Sequence, residues 1–306
     1  MMMTKNSFYN AAEYVRNNSR PLEKALLEYE FFGGAADSVL AELLKFQNAD
    51  GGFGKALEAD FRAEKSSVLC TTYAMDLLLD LKTPSENELV RGASSYLLSV
   101  MDEASMSWRL IPEGREDYPH APWWNQDGLE KVFNNFIENP RVKICAYMYH
   151  YPDLFPQESA GNLLNEILNK LDERSDTASY NEIECYIKLF GEKNVPEAAK
   201  KTLLSKLNLM IPSSVEQDVS QWHEYVCKPV DLIKHPDSVF LPLISELMDK
   251  NLQFEIEHQL SDFSWAPNWN WGDSYPDDWM TARAEWSGVL TVKRLRLFKS
   301  FNLIEA

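Results

Sequence analysis

Apolar residues along this chain return every three or four positions rather than every second one, the spacing of one face of a helix. In residues 35–47 the set Val39, Leu40, Leu43 and Leu44 follows it, and residues 68–81 repeat it. Further helical runs are predicted over residues 86–101, 126–137, 140–151, 160–171, 178–190, 196–209, 240–259 and 278–301. Pro140 after Asn139 has the arrangement of an N-cap followed by the first helical residue, and Pro196 opens its run the same way. No stretch alternates well enough to predict a strand. About ten helices joined by turns rich in Pro, Gly and Trp predict an all-α protein. No Ser/Gly-rich or Pro-rich linker divides the chain, so one domain over residues 1–306 is expected, with a weak seam near residues 211–216.

One phrase occurs twice. Gln47-Asn-Ala-Asp-Gly-Gly-Phe53 returns 212 positions later as Gln259-Leu-Ser-Asp-Phe-Ser-Trp265, each copy between two helical runs. A repeat this distant predicts a fold assembled from duplicated helix–turn–helix units. The physical reading is structural. Asp50-Gly51-Gly52 supplies the backbone freedom for a tight turn at a helix end, and Gln47 can bond the orphan groups there. Phe53, or Trp265 in the second copy, then packs across the junction. Such pairs stacked in a ring would form a double-layered α-barrel with a central cavity.

Composition narrows the partners. With 47 acidic against 30 basic residues the formal net charge is −17, which argues against nucleic acid or an anionic membrane surface as main partner. No apolar stretch approaches the ~20 residues a membrane-spanning helix needs. Residues 1–9 lack the apolar core of a secretory signal, so a cytoplasmic location is expected. Cys70, Cys145, Cys185 and Cys227 are isolated from one another, and the first three lie in apolar helical runs, which predicts reduced core thiols.

Four groups of residues carry candidate chemistry. Glu58-Ala-Asp60-Phe-Arg62 follows the first turn, and in an extended loop its alternate residues share a side. They would form an acid–base pair beside a guanidinium, or a structural ion-pair network. Tyr118-Pro-His120-Ala-Pro-Trp123-Trp124 holds a histidine next to two indoles on a backbone stiffened by two prolines. His120 is there either a general acid or base or a packed core histidine. In Gln221-Trp-His223-Glu224-Tyr225 the adjacent His223 and Glu224 point about 100° apart on a helix and are poor partners for each other, though one of them could face a cavity. No HxxxH or HExxH spacing exists, and no metal site is expected. Residues 265–286 gather five of the nine tryptophans, with Trp269, Trp271 and Tyr275 in a loop that would wall a ligand cavity or simply pack onto the end of the fold. Glu285 is a further acid candidate.

The phrase Phe46-Gln47-Asn48-Ala49-Asp50-Gly51-Gly52-Phe53-Gly54 resembles the Gln/Trp repeat of the terpenoid cyclases and the protein-prenyltransferase β subunits. Gln259–Trp265 is similar to it with Phe263-Ser264 in place of the two glycines, and Glu285-Trp-Ser-Gly-Val-Leu-Thr291 is similar to the start of the helix that follows. The resemblance implies an α/α toroid with an aromatic-lined cavity for an isoprenoid chain, and Mg²⁺ if the substrate is a diphosphate. The family's Asp-x-Asp-Asp acid motif is absent, and no cysteine has an aspartate two positions before it, as the family's zinc site requires. Three functions stay open: an isoprenoid-handling enzyme of prenyltransferase or cyclase type; a carbohydrate-active α/α barrel with Glu58 and Asp60 as acid and base; and a non-catalytic toroid binding a small ligand or peptide. The first predicts a central cavity lined by His120, Trp123, Trp124, His223, Trp269 and Glu58, with Arg62, Trp271, Tyr275 and Glu285 as further ligand contacts. The oligomeric state is left open.

Overall fold

The computed structural model describes residues 2–114, 117–125, 138–174 and 178–305. Among these residues the protein is all-α, with twelve α-helices and one two-stranded hairpin, β1 (Met101–Asp102) against β2 (Ser107–Trp108). The helices are α1 (Lys5–Asn18), α2 (Pro21–Phe31), α3 (Ala36–Leu44), α4 (Val68–Asp80), α5 (Glu88–Ser99), α6 (Glu138–His150), α7 (Gln157–Glu173), α8 (Tyr180–Gly191), α9 (Glu197–Ser214), α10 (Pro229–Leu232), α11 (Ser245–Glu257) and α12 (Pro276–Ser300). No described helix is long and apolar enough to cross a membrane.

The helical periodicity locates α3 to α9, α11 and α12 to within a few residues. The run expected at 126–137 lies outside the described residues. Asn139 is non-helical (φ −114°, ψ 106°), so the regular part of α6 starts at Pro140. Pro196 lies just before α9 rather than inside it, where its carbonyl accepts from Lys200 N–H at 3.0 Å. Helices α1, α2 and the four-residue α10 are not predicted by the sequence reading. The boundaries of α1 and α2 are set locally: the Thr4 side chain accepts from Ser7 N–H, and Pro21 opens α2.

The chain divides into two compact units, residues 1–43 with 215–306, and residues 44–214. The second boundary falls inside the 211–216 stretch. In the unit of residues 44–214, α4 packs on α5 and α6, and α6 packs in turn on α7 and α8. In the other unit α12 packs on α1 and α2, and α10 on α11. This unit is built from both ends of the chain. Met3 pairs in parallel with Ile304, Met3 N–H donating to Leu303 O at 2.8 Å and Glu305 N–H to Met3 O at 3.0 Å.

Each unit holds one copy of the repeated turn, and the two copies share their bonds. Gln47 Nε2 donates to Gly51 O at 2.9 Å, as Gln259 Nε2 does to Phe263 O at 2.9 Å. Asp50 Oδ1 accepts from Gly52 N–H at 3.0 Å and Ser66 Oγ at 2.7 Å; Asp262 Oδ1 accepts from Ser264 N–H at 3.1 Å and Ser264 Oγ at 2.7 Å. The N–H of the buried aromatic then donates to a threonine hydroxyl, Phe53 to Thr71 at 3.0 Å and Trp265 to Thr291 at 3.1 Å. Each hydroxyl passes its own proton one turn back along its helix, to Ser67 O and Ser287 O, both at 2.7 Å. Even the conformational exception recurs. Gly51 (φ 86°) and Phe263 (φ 67°) occupy the same left-handed position, one without cost and one with it. The second amide proton of each glutamine reaches the first turn of another helix, Leu89 O in α5 at 3.2 Å and Ser7 O in α1 at 3.5 Å.

The stretch 285–291 lies in the middle of α12 rather than at its start. Pro276 at the first position of α12 begins the helix about two and a half turns earlier.

Thr71→Val and Thr291→Val remove the acceptor of a buried backbone N–H while keeping side-chain volume. Each is expected to cost about 1–3 kcal/mol in denaturant unfolding, by similar amounts in the two copies. Gly51→Ala is expected to cost more than either, because its Cβ would add left-handed strain to a clash 2.5 Å from Gly92 O.

Candidate functional site

The loop after the first turn is folded on itself by Lys55 N–H donating to Ala63 O at 2.8 Å. Lys55 (φ 55°) and Ala56 (φ 57°) turn the chain through the left-handed region to achieve this. Its far side pairs with the proline-stiffened segment. Arg62 N–H donates to Pro119 O at 3.0 Å and Ala121 N–H to Asp60 O at 2.8 Å, so Phe61 and His120 stand opposite each other. The two groups that the sequence presented separately, 58–62 and 118–124, are therefore one structure. Phe61, Ala63 and Ile111 form its apolar centre, with Leu69, Tyr118 and Trp124 packed around them.

Glu58, Asp60 and His120 are buried, while Arg62, Trp123 and Trp124 are half-buried. His120 Nδ1 lies 2.5 Å from the Tyr118 carbonyl, which can only accept, so Nδ1 carries the proton. In the neutral ring the lone pair is then on Nε2, the arrangement of an oriented base. The indole N–H of Trp124 is buried and has no hydrogen-bond partner among the described residues. Beside this structure lies an open groove of about 460 Å³, lined by Asn48, Asp50, Glu64, Lys65, Ser66 and Tyr118. The Lys65 ammonium stands 5.5 Å from the Tyr118 ring centre.

The remaining sequence candidates lie in the other unit. His223 is exposed, its ring 5.1 Å from Phe254 and 4.8 Å from His258. Trp269 stands edge-on between Tyr225, at 6.0 Å, and Trp286, at 5.3 Å. Trp271 is fully buried and packs on Trp279. Tyr275, in the left-handed region (φ 47°), precedes α12 as its cap residue. Glu285 faces Arg20 at 3.9 Å, while Arg20 is itself held by the buried Glu23 at 2.7 Å. Glu285 thus sits at the edge of an ion-pair network.

A third centre escaped the sequence reading. Asp76 of α4 receives Lys143 of α6 at 2.9 Å and Lys188 of α8 at 2.8 Å, and the Tyr147 hydroxyl donates to it at 2.7 Å, with Thr72 O 2.9 Å away. The signal was available: each of these three apolar helices carries a charge within its apolar stretch. Asp76 lies deep among protein atoms yet keeps 31% of its side-chain surface open, so the centre borders accessible space. Burial by itself would raise the Asp76 carboxyl. The charges of Lys143 and Lys188 and the bonds from Lys188 and Tyr147 outweigh it and hold the group well below the ordinary carboxylate range. Lys143 is shifted the other way: burial opposes its charge, but Asp76, with smaller contributions from Cys185 and Glu184, raises it. Cys185, buried alongside, is pushed up to about 12 by desolvation and stays a thiol.

Among the described residues no three His, Cys, Asp or Glu side chains converge as a metal site. No family model matches the chain, and no curated protein is significantly similar to it.

Because the folded value for Asp76 lies below the unfolded one, its contribution to stability is complete above the unfolded value of ~3.9 and is lost as the pH falls through the folded value. Asp76→Asn is expected to lower stability at neutral pH by about 2–4 kcal/mol, allowing for the partial exposure of the pairs. Urea unfolding across a pH series should show that deficit shrinking once the pH drops below about 4.

Proposed function

We propose that this protein is an α/α toroid of the terpenoid-cyclase and prenyltransferase type that handles an isoprenoid ligand. The observation that carries this reading is the duplication of the Gln/Asp/aromatic turn with its backbone bonds and its threonine acceptor, since a structural device repeated with its helices belongs to a repeat architecture. The pairing of Met3 with Ile304 supports it as well. In one unit α5 follows α4 through a covalent connection and receives the glutamine of the turn; in the other, α1 receives the glutamine and follows α12 only through that pairing of chain ends.

The polar centre on α4, α6 and α8 gives the reading its chemistry. Each lysine ammonium has three donors, so Lys143 and Lys188 can bind phosphate oxygens while keeping Asp76 as a shared partner. Mg²⁺ would enter as the counter-ion of such a diphosphate. Asp76, fixed as a carboxylate, is unsuited to protonating an alkene, which leaves Glu58 and Asp60 as the acids and His120 as the base to examine. A carbohydrate-active protein is the second reading. It is favoured by the groove in which Tyr118 offers an aromatic face beside the amide of Asn48 and the carboxylates of Asp50 and Glu64.

A thermal-shift comparison separates the two. An isoprenoid diphosphate with Mg²⁺ at about 100 times its dissociation constant adds about 2.7 kcal/mol to the folded state and is expected to raise Tm by several degrees. Lys188→Met, which retains the Lys143–Asp76 pair, is expected to abolish that shift. A shift given by oligosaccharides alone, and lost in Tyr118→Ala, would overturn the isoprenoid reading in favour of the second.

A further inference from the structure

Two of the five histidines in the chain, His223 and His258, face each other in the unit formed by residues 1–43 and 215–306. Their ring centres are 4.8 Å apart with the planes at 66°. One buried aromatic holds both: Phe254 stacks on His258 at 3.8 Å and 21° and meets the edge of His223 at 5.1 Å and 61°. His258 follows α11 as its cap residue, and its Nδ1 lies 2.7 Å from Phe254 O. A carbonyl only accepts, so Nδ1 bears the proton and Nε2 of the neutral ring keeps its lone pair. A backbone carbonyl fixing one ring nitrogen so that the other is basic is the usual outer support of a metal-bound imidazole. The backbone of His223 is fastened too, since Asn268 Nδ2 donates to Glu224 O at 2.7 Å and lies 3.4 Å from His223 O.

From this geometry we infer that His223 and His258 form a site for a divalent transition-metal ion of the zinc class, with water completing the coordination. Two imidazoles on one tetrahedral ion with metal–nitrogen bonds of ~2.1 Å hold their ring centres about 5 Å apart, as here. Both side chains are exposed, so an ion reaches them from solvent without rearrangement. Lys228, 5.8 Å from the Phe254 ring, is paired with Glu255 at 3.1 Å, which offsets its repulsion. Exposed carboxylates at Glu224 and Glu257 flank the pair in sequence and favour a cation, as does a net charge of −17. The cysteines do not compete, because all four are buried. This site stands independently of the isoprenoid reading.

Titration calorimetry of the full chain with ZnCl₂ alone, in a non-chelating buffer, tests it. One ion per chain is expected, with affinity falling about tenfold or more in His223→Ala and in His258→Ala. Circular dichroism should show both variants folded, since the side chains are exposed. His235→Ala, which alters a surface histidine paired with Asp237 at 3.4 Å, should bind as the parent does. Absence of saturable uptake, or uptake unchanged in either His223→Ala or His258→Ala, would overturn the inference.

Discussion

The hydrogen-bond relay through the repeated turn is the constraint on which the described structure rests. A helix ends, the chain reverses within a few residues, and a large aromatic must be buried at once. Its backbone N–H goes into the core with it, where an unmet donor costs about 1–3 kcal/mol. Thr71 and Thr291 meet that donor and discharge their own protons onto carbonyls within the helix that follows. Register between turn and helix is thereby fixed by a polar bond rather than by apolar contact alone. The glutamine extends the control to a further helix, so each turn sets three helices.

The second copy shows which parts of this device are indispensable. Asp, Gln and Thr keep their bonds, while the glycines give way to Phe263 and Ser264. Phe263 accepts a left-handed backbone that costs a non-glycine residue roughly 1–2 kcal/mol. Buried ion pairs reinforce the same region: Glu255, whose carbonyl accepts from the Trp265 indole at 2.8 Å, is clamped by Arg294 at 2.6 Å and Lys228 at 3.1 Å. Burial would raise its carboxyl, but Arg294 and Lys228 draw it below the ordinary range. Such a pair is costly to break once one partner is removed.

Chemistry in this protein is gathered where helices or loops distant in sequence meet. Asp76, Lys143 and Lys188 come from three helices, and His120 is joined to Asp60 by strand-like pairing of two loops. The first arrangement fixes charge: the Asp76 carboxylate and the Lys143 ammonium hold each other ionised, beside a thiol and a phenol that stay protonated. The second fixes orientation, since the Tyr118 carbonyl selects the tautomer of His120. The first arrangement keeps part of Asp76 open, so a polar ligand group would meet charges already fixed in place, whereas His120 is closed off by its own loops.

The sequence by itself determined the all-α class, most helix positions and the repeated turn, because helical periodicity, capping residues and a Gln/Asp/aromatic phrase are local codes. It also singled out His120, Glu58 and Asp60 by composition. It missed α1, α2 and the short α10, and it missed that segments 58–62 and 118–124 are a single structure. Backbone pairing between loops depends on which carbonyls are left unpaired after folding, and no side-chain pattern records that. Asp76, Lys143 and Lys188 were visible only as isolated charges in apolar helices. Tertiary structure alone decided that the two lysines share one carboxylate, because the cost of burying each charge can be met only by a partner that packing brings within about 3 Å.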